Sequence, residues 1–238
     1  AGAANNLVQG GSMTMVTFYL VIVRDLSTWA FALLLIPATL VAALAAIGAG
    51  RAAARFGNGT VVVAGLAVLA VSLLVRLSFR IDTPIIVVGA AMALTTIGGA
   101  IIQTPQTTVM MSSAPTHLGG VVSAVKASVG GTFYGLGAAL FSMLGIILLI
   151  RDIGPKLAAA GVSIEQAGEI LSTTAGKPGT AVLDPDRTAW VISEATAGVL
   201  SAAHTLNLVM MAIPVAAIVV VAVLFRRAVS ERSARLSA

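Results

Sequence analysis

Six long apolar stretches dominate this sequence and restrict what it can fold into. They run from about 5 to 23, 28 to 49, 60 to 78, 84 to 112, 118 to 150 and 202 to 225. An α-helix needs about 20 mostly apolar residues to cross a bilayer. In lipid, the backbone N–H and C=O groups of a spanning segment must be hydrogen-bonded within the protein, which an α-helix achieves by itself. The sequence lacks the two-residue alternation of apolar and polar residues that is typical of barrel strands. The sequence therefore predicts an all-α integral membrane protein with six transmembrane helices.

The composition supports a membrane protein and argues against a soluble one. Of 238 residues, 58% are hydrophobic and 10% are charged, with a mean hydropathy of +1.02, whereas soluble domains carry about 25% charged residues. The net charge is +5, but the basic residues are scattered rather than interleaved with aromatic residues, so we expect the lipid bilayer and not nucleic acid as a partner. Because the sequence starts at Ala1 rather than Met, we expect it to be part of a longer protein.

No arrangement of residues typical of an enzyme is found. The two histidines, His117 and His204, lie on different segments and lack metal-ligand spacing to each other or to a carboxylate. The sequence has no cysteine, which excludes disulfides and thiolate metal sites. Phosphate-binding glycine motifs and the GxSxG motif are also missing. We therefore expect no enzymatic activity, no cofactor and no metal site.

The segment from 151 to 201 is the longest one without a predicted span, and it contains helix-start signals. Ser163 and Gln166 form a capping-box pattern, and Asp184 followed by Pro185 is typical of a helix N-terminus. Between them, residues 175 to 179 form a predicted turn. The alternatives are a disordered connector and a helical hairpin. We favour a hairpin whose second helix continues into the sixth span, unless Gly198 breaks it.

Polar residues recur within the fourth stretch at steps of three or four, which places them on one helical face. Such a stripe has two interpretations. Small and polar residues commonly join two membrane helices, and this is the more frequent origin. The alternative is one wall of a cavity, since amide side chains facing lipid are costly. The stripe consists of Met92, Thr96, Gly99, Gln103, Gln106 and Met110.

The fifth stretch contains a lysine, Lys126, about two turns after Leu118. Its ammonium group either reaches the headgroups at the membrane surface or faces a cavity, and the sequence favours neither. Phe133 and Tyr134 are either packing residues or aromatic ligand contacts. Glycines at 130, 131, 135 and 137 permit close helix packing or bending.

Three segments resemble a known family in order and spacing. The segment GAGRAAARFGNGT, 48 to 60, resembles the loop between the second and third helices of a major facilitator superfamily half. Gly50, Arg55 and Gly57 match its pattern, while Ala54 stands where that family has an aspartate. FYLVIVRDLSTWAFALLLIPATL is similar to the segment joining core helices seven and eight of the 14-span drug/proton antiporter branch. MMSSAPTHLGGVVSAVKASVGGTFYGLGAAL is similar to the junction of core helices ten and eleven.

The resemblance implies the C-terminal six-helix half of a transporter in the cell membrane, with both termini in the cytoplasm. Residues 1–150 would form five transmembrane helices, 151–201 an extracytoplasmic loop, and 202–238 the last helix with a basic cytoplasmic tail. The 48–60 loop would be a cytoplasmic motif that affects conformational change, through Gly50, Arg51, Arg55 and Gly57.

The implied activity is proton-driven export of lipophilic or cationic drugs by alternating access. An N-terminal half would be the partner and would hold the proton-coupling acid, because Asp25, Asp82 and Asp152 all lie at the ends of spans. The first, second, fourth and fifth spans would line a substrate cavity. Its implied residues are Phe18, Tyr19, Met92, Thr96, Gln103, Gln106, Met110, Lys126, Phe133 and Tyr134.

Two other functions remain open from the sequence. One is export of lipids or cell-envelope precursors, in which the predicted hairpin would guide an apolar substrate outward. The other is a non-transporting membrane scaffold or sensor, since a single half cannot alternate access without a partner.

Overall fold

The structure is a computed structural model that describes residues 2–24, 26, 28–174 and 184–236. These residues form seven α-helices and no strand. The helices are α1 (Gly2–Phe18, continued by a π-helical turn, Tyr19–Val23), α2 (Thr28–Phe56), α3 (Asn58–Leu77), α4 (Ile85–Ser112), α5 (Gly119–Ala159), α6 (Ile164–Thr174) and α7 (Pro185–Leu236). All except α6 are long and apolar enough to cross a membrane, so the chain is an all-α bundle with six such helices, as the sequence predicts.

The bundle is held together by apolar contacts between helices that are distant in the sequence. One cluster joins α1, α3, α4, α5 and α7 around Leu66, Leu69 and Ile102. A second joins α1, α3 and α4 around Leu20, Val88 and Met92. Helix α2 contributes little to the interior and presents an apolar face outward, which suits contact with lipid tails. That face includes Leu33, Ile36, Leu40, Leu44 and Ile47.

Pairs of glycines let neighbouring helices approach closely. A Cβ added at Gly137 of α5 would lie 2.0 Å from the carbonyl oxygen of Leu7, and one added at Gly10 of α1 would lie 2.0 Å from that of Tyr134. Only a residue without a side chain fits at either position. Gly65 and Gly98 make a similar close contact between α3 and α4. Small residues are a common device for packing helices in membranes.

The segment from 48 to 60 differs from its predicted structure. The sequence predicts a loop there, but α2 continues to Phe56 and α3 begins at Asn58, so that Gly57 is the one residue outside a helix. Alanine and arginine are strong helix formers, and the run RAAAR extends α2 by two turns. Gly57 makes the reversal with φ +86° and ψ 150°, a combination that is essentially restricted to glycine.

Helices α5 and α7 are longer than the predicted spans. Helix α5 ends at Ala159 rather than near 150, whereas α7 begins at Pro185, the start that the sequence favours for a helix continuing into the sixth span. At about 1.5 Å per residue, the 41 residues of α5 extend roughly 60 Å, about twice the hydrocarbon thickness of a bilayer. Gly198 does not break α7. It faces α5 instead, where an added Cβ would lie 2.7 Å from Leu149.

The end of α5, helix α6 and the start of α7 form an extension with an apolar core of its own. That core contains Leu157, Val162, Ile170 and Val191. The predicted capping box is confirmed, because the Ser163 backbone N–H donates to Gln166 Oε1 at 2.9 Å and the Gln166 backbone N–H donates to Ser163 Oγ at 3.1 Å. The predicted turn at 175–179 lies outside the described residues.

Candidate cavity between helices α1, α4 and α5

A polar cavity of about 500 Å³ opens where α1, α4 and α5 separate. It lies at the end of the bundle where α1 and α5 begin and α4 ends. Four residues of the predicted site line it, namely Gln103, Gln106, Met110 and Lys126. The face of α4 that is closely packed near Met92 is therefore partly open about three to five turns further along, where the helices diverge.

Lys126 lines this cavity, as one of the two interpretations of the sequence expects. Its Nζ donates a hydrogen bond to Thr107 Oγ1 of α4, and its side chain is half-buried. Lys126 also lines a second, more open cavity of about 390 Å³ with Gln9, Ala46 and Thr96. The walls of the two cavities together come from α1, α2, α4 and α5, the four helices that the resemblance places there.

Two of the predicted site residues lie in the apolar core instead. Tyr19 is 2% exposed and packs against Phe79, with ring centroids 5.2 Å apart and the ring planes tilted by 38°. Its hydroxyl donates a hydrogen bond to the Arg80 carbonyl at 2.7 Å. Met92 is 3% exposed and belongs to the same cluster. Both are on the helices that the sequence identifies, but at a depth where those helices are in close contact. The sequence indicates the helical face and not where along it the helices separate.

The remaining aromatic residues do not line either polar cavity. Phe18 lines a separate apolar cavity of about 140 Å³ between α1, α5 and α7. Phe133 is half-buried on α5, and Tyr134, also on α5, is 40% exposed. Gly130 and Gly131 of the same helix line the cavity, whereas these two rings are not on its walls.

The residues of the 48–60 segment lie at the end of the bundle where α2 meets α3, and none of them lines either polar cavity. Arg51 and Arg55 are exposed on the last turns of α2, and the Arg55 guanidinium carbon lies 5.3 Å from the centroid of the Phe56 ring. Gly50 and Gly57 complete this group. A cation over an aromatic ring contributes about 0.5 to 1 kcal/mol at an exposed site. The contact between Arg55 and Phe56 therefore stabilises the end of α2 only slightly.

A buried arginine, Arg76 of α3, is the main polar feature that the sequence did not identify as part of the interior. It lies two residues before Ser78, near the end of the third predicted span. In the structure it is 3% exposed. Its guanidinium donates to Ser12 Oγ of α1, to the Ser12 carbonyl at 3.2 Å, and to Thr95 Oγ1 of α4 at 2.7 Å. Arg76 therefore links three helices through hydroxyl and carbonyl groups.

Neither Arg76 nor Lys126 pairs with an acid among the described residues, where the ion pair present is Lys156 with Glu194 at 2.7 Å. Within the same residues, no group of three histidine, cysteine or acidic side chains is placed to bind a metal. The cavity walls present amide, hydroxyl and ammonium groups as well as apolar surface, and these can contact a small molecule.

The sequence matches no family model. It is similar to the multidrug efflux pump LfrA of Mycolicibacterium smegmatis (strain ATCC 700084 / mc(2)155), with 28% identity over 219 residues. The match covers 91% of this chain and 43% of that protein, so the chain spans less than half the length of this curated relative. The likeness supports a transporter family, and with six helices able to cross a membrane it supports a multi-pass membrane protein in contact with lipid.

Proposed function

We propose that this chain is the C-terminal six-helix half of a drug exporter of the major facilitator superfamily, in its 14-span drug/proton antiporter branch. The observation that carries the proposal is the cavity between α1, α2, α4 and α5, whose walls present amide, hydroxyl and ammonium groups. The similarity to an efflux pump over 91% of the chain supports it. The substrates would be lipophilic small molecules.

Alternating access is the mechanism proposed for this half. Secondary carriers bind substrate near the midplane between two bundles that rock against each other. In this chain Gln103, Gln106 and Met110 would form part of the binding surface, and an N-terminal half would supply the opposite wall. The tightly packed α3 and α7 would then support the cavity helices from behind.

Proton coupling is proposed to depend on the N-terminal half. Carriers that use the proton gradient need an ionisable group that protonates within the membrane. Every acidic side chain that the structure describes lies at a helix end or in the α5–α7 extension, outside the middle of the bundle. Both termini of this chain would be cytoplasmic, with the α5–α6–α7 extension on the opposite side.

The test is dye efflux from vesicles containing the transporter assembled from this chain and its N-terminal half. We expect a lipophilic fluorescent dye to be moved when a proton gradient is imposed, and the movement to stop when a protonophore collapses the gradient. Dye movement that ignores the gradient would contradict proton coupling. A folded, monodisperse transporter that moves no dye would contradict the proposed function and favour a scaffold.

A further inference from the structure

Resting on the proposed function, we infer that the cavity selects organic anions with an apolar body, such as lipophilic carboxylates or sulfonates, over lipophilic cations. The resemblance implies cationic drugs, so this inference changes the expected substrate class. It rests on the position of Lys126 and on the distribution of charge around it.

Lys126 is the charged residue among the described residues that line the cavity. Its ammonium group has three N–H donors, and Thr107 Oγ1 accepts from one of them. No described carboxylate neutralises it. The group therefore has donors left for a ligand, and it faces both the main cavity and the more open one beside it.

Among the side chains that the structure describes, those charged at the cavity end of the bundle have the same sign. Arg51 and Arg55 lie at the end of the bundle where the cavity opens, at the junction of α2 and α3. The acidic side chains that the structure describes all lie at the opposite end of the helices or in the α5–α7 extension. They are Asp82, Asp152, Glu165, Glu169, Asp184, Asp186 and Glu194. A cleft with one sign of charge and low-dielectric walls concentrates ligands of the opposite sign.

The rest of the cavity suits the other parts of such a ligand. Gln103 and Gln106 offer amide groups, and an anionic oxygen accepts hydrogen bonds from amide N–H groups as well as from an ammonium. Met110, Val125 and Val129 offer apolar surface on the same walls. Methionine adapts its shape to varied partners, so the site would fix the anionic group and tolerate variation in the body.

The experiment uses three probes that share one coumarin fluorophore and differ in a single substituent, which is an acetate, its uncharged methyl ester or a trimethylammonium group. Equilibrium binding to the purified two-half transporter in detergent is measured alongside efflux from vesicles. We expect the acetate probe to bind about tenfold more tightly than the trimethylammonium probe, as for an attraction between close charges in a partly shielded site.

Variants at Lys126 test the cause of that preference. Lys126→Gln should remove the difference between the two charged probes and leave binding of the ester unchanged. Lys126→Arg should retain the preference, and Lys126→Glu should reverse it. Lys156→Gln is the matched control, because it removes the same charge from the same helix outside the cavity. Each variant is first shown to be monodisperse, and Lys126→Gln alone is sufficient if the Glu variant does not fold.

The outcomes separate this inference from the proposed function. Equal binding of the charged probes, or a preference that Lys126→Gln does not change, overturns the inference while efflux of the ester still supports an exporter. Tighter binding of the trimethylammonium probe by the unmodified transporter also overturns it. If no probe is exported, the proposed function fails, whereas the binding measurements still decide the charge preference.

Discussion

Arg76 shows what a single residue contributes to this bundle and why its role was missed. Two residues from a span end, an arginine can either reach water or turn inward, and the choice depends on contacts with other helices. Here Ser12 and Thr95 come from helices separated from it by 64 and 19 positions along the chain. No local pattern connects these three residues, so the interior position of Arg76 could not be predicted.

Removing the Arg76 side chain should destabilise the bundle by about 3 kcal/mol, because it leaves a cavity and removes three interhelical hydrogen bonds. Arg76→Met should cost clearly less than Arg76→Ala, since it keeps the volume. The Thr95 and Ser72 hydroxyls would also retain their own backbone acceptors, the carbonyls of Ala91 at 2.9 Å and Leu69 at 2.7 Å. Melting temperatures in detergent measure the loss of stability in Arg76→Ala and in Arg76→Met. Equal losses in the two variants would contradict the argument.

Gly57 is the second residue whose identity is set by conformation. At φ +86° and ψ 150°, an alanine would be strained by about 1 to 3 kcal/mol, so Gly57→Ala should lower the melting temperature. The matched control is Gly48→Ala, nine positions earlier within α2, where an added Cβ has nothing within 4 Å. Because alanine favours the helix, this control should melt at the same or a higher temperature. A Gly57→Ala variant as stable as the control would show that the junction adapts.

Among the helices, the sequence predicts those starts and ends that depend on neighbouring residues, and not the features that depend on contacts between helices. The capping box at Ser163 and the start of α7 at Pro185 depend on neighbouring residues, and both are found. The end of α2 was placed too early because arginines and glycines were interpreted as a loop signal. The glycines of α5 were recognised as a group, but which of them contact α1 depends on the crossing point of the two helices.

The crossing of α1 and α5 predicts different effects for two neighbouring glycines. Gly137→Ala should destabilise the bundle by about 1 to 3 kcal/mol or more, because the added methyl meets the Leu7 carbonyl and backbone cannot move aside easily. Gly135→Ala, two residues earlier, has open space and should be neutral. The fraction of monodisperse protein after heating measures the difference. Similar behaviour of the two variants would contradict the close crossing.

At the scale of the whole molecule, the bundle and the α5–α6–α7 extension have separate cores. The extension packs around Leu157 and Val191 and its residues line neither polar cavity. Where the extension leaves the bundle, Gly198 of α7 packs against α5 beside Ile153. The two chain ends left by removing the extension would therefore be close together.

Replacing residues 155 to 195 with a short flexible linker should leave drug efflux intact, because none of these residues lines either polar cavity. Efflux of the same dye by the shortened and unmodified transporters is compared at equal amounts in vesicles. Loss of efflux from a shortened transporter that remains monodisperse would mean that the extension acts in transport, as it would in an exporter of lipids or cell-envelope precursors.

The sequence predicted the six helices and the helices around the cavity, but only part of the cavity lining. Helical spacing groups Gln103, Gln106 and Met110 on one face of α4, and these three line the cavity together with Lys126 of α5. Met92 belongs to the same stripe and Tyr19 is implied by the resemblance, but both lie where the helices touch. The position along each helix at which the cavity begins depends on how the helices pack together, so the sequence does not predict it.

Protection of an introduced cysteine by substrate tests whether this cavity is the substrate site. The chain contains no cysteine, so Met110→Cys introduces a single thiol in this half at the cavity wall, and Ser113→Cys introduces one just beyond the end of α4, where the side chain is exposed. The transporter is labelled with a water-soluble maleimide with and without a transported dye. We expect the dye to slow the labelling of Met110→Cys severalfold and to leave the labelling rate of Ser113→Cys unchanged. Labelling of Met110→Cys at the same rate with saturating dye would contradict the assignment of this cavity as the substrate site.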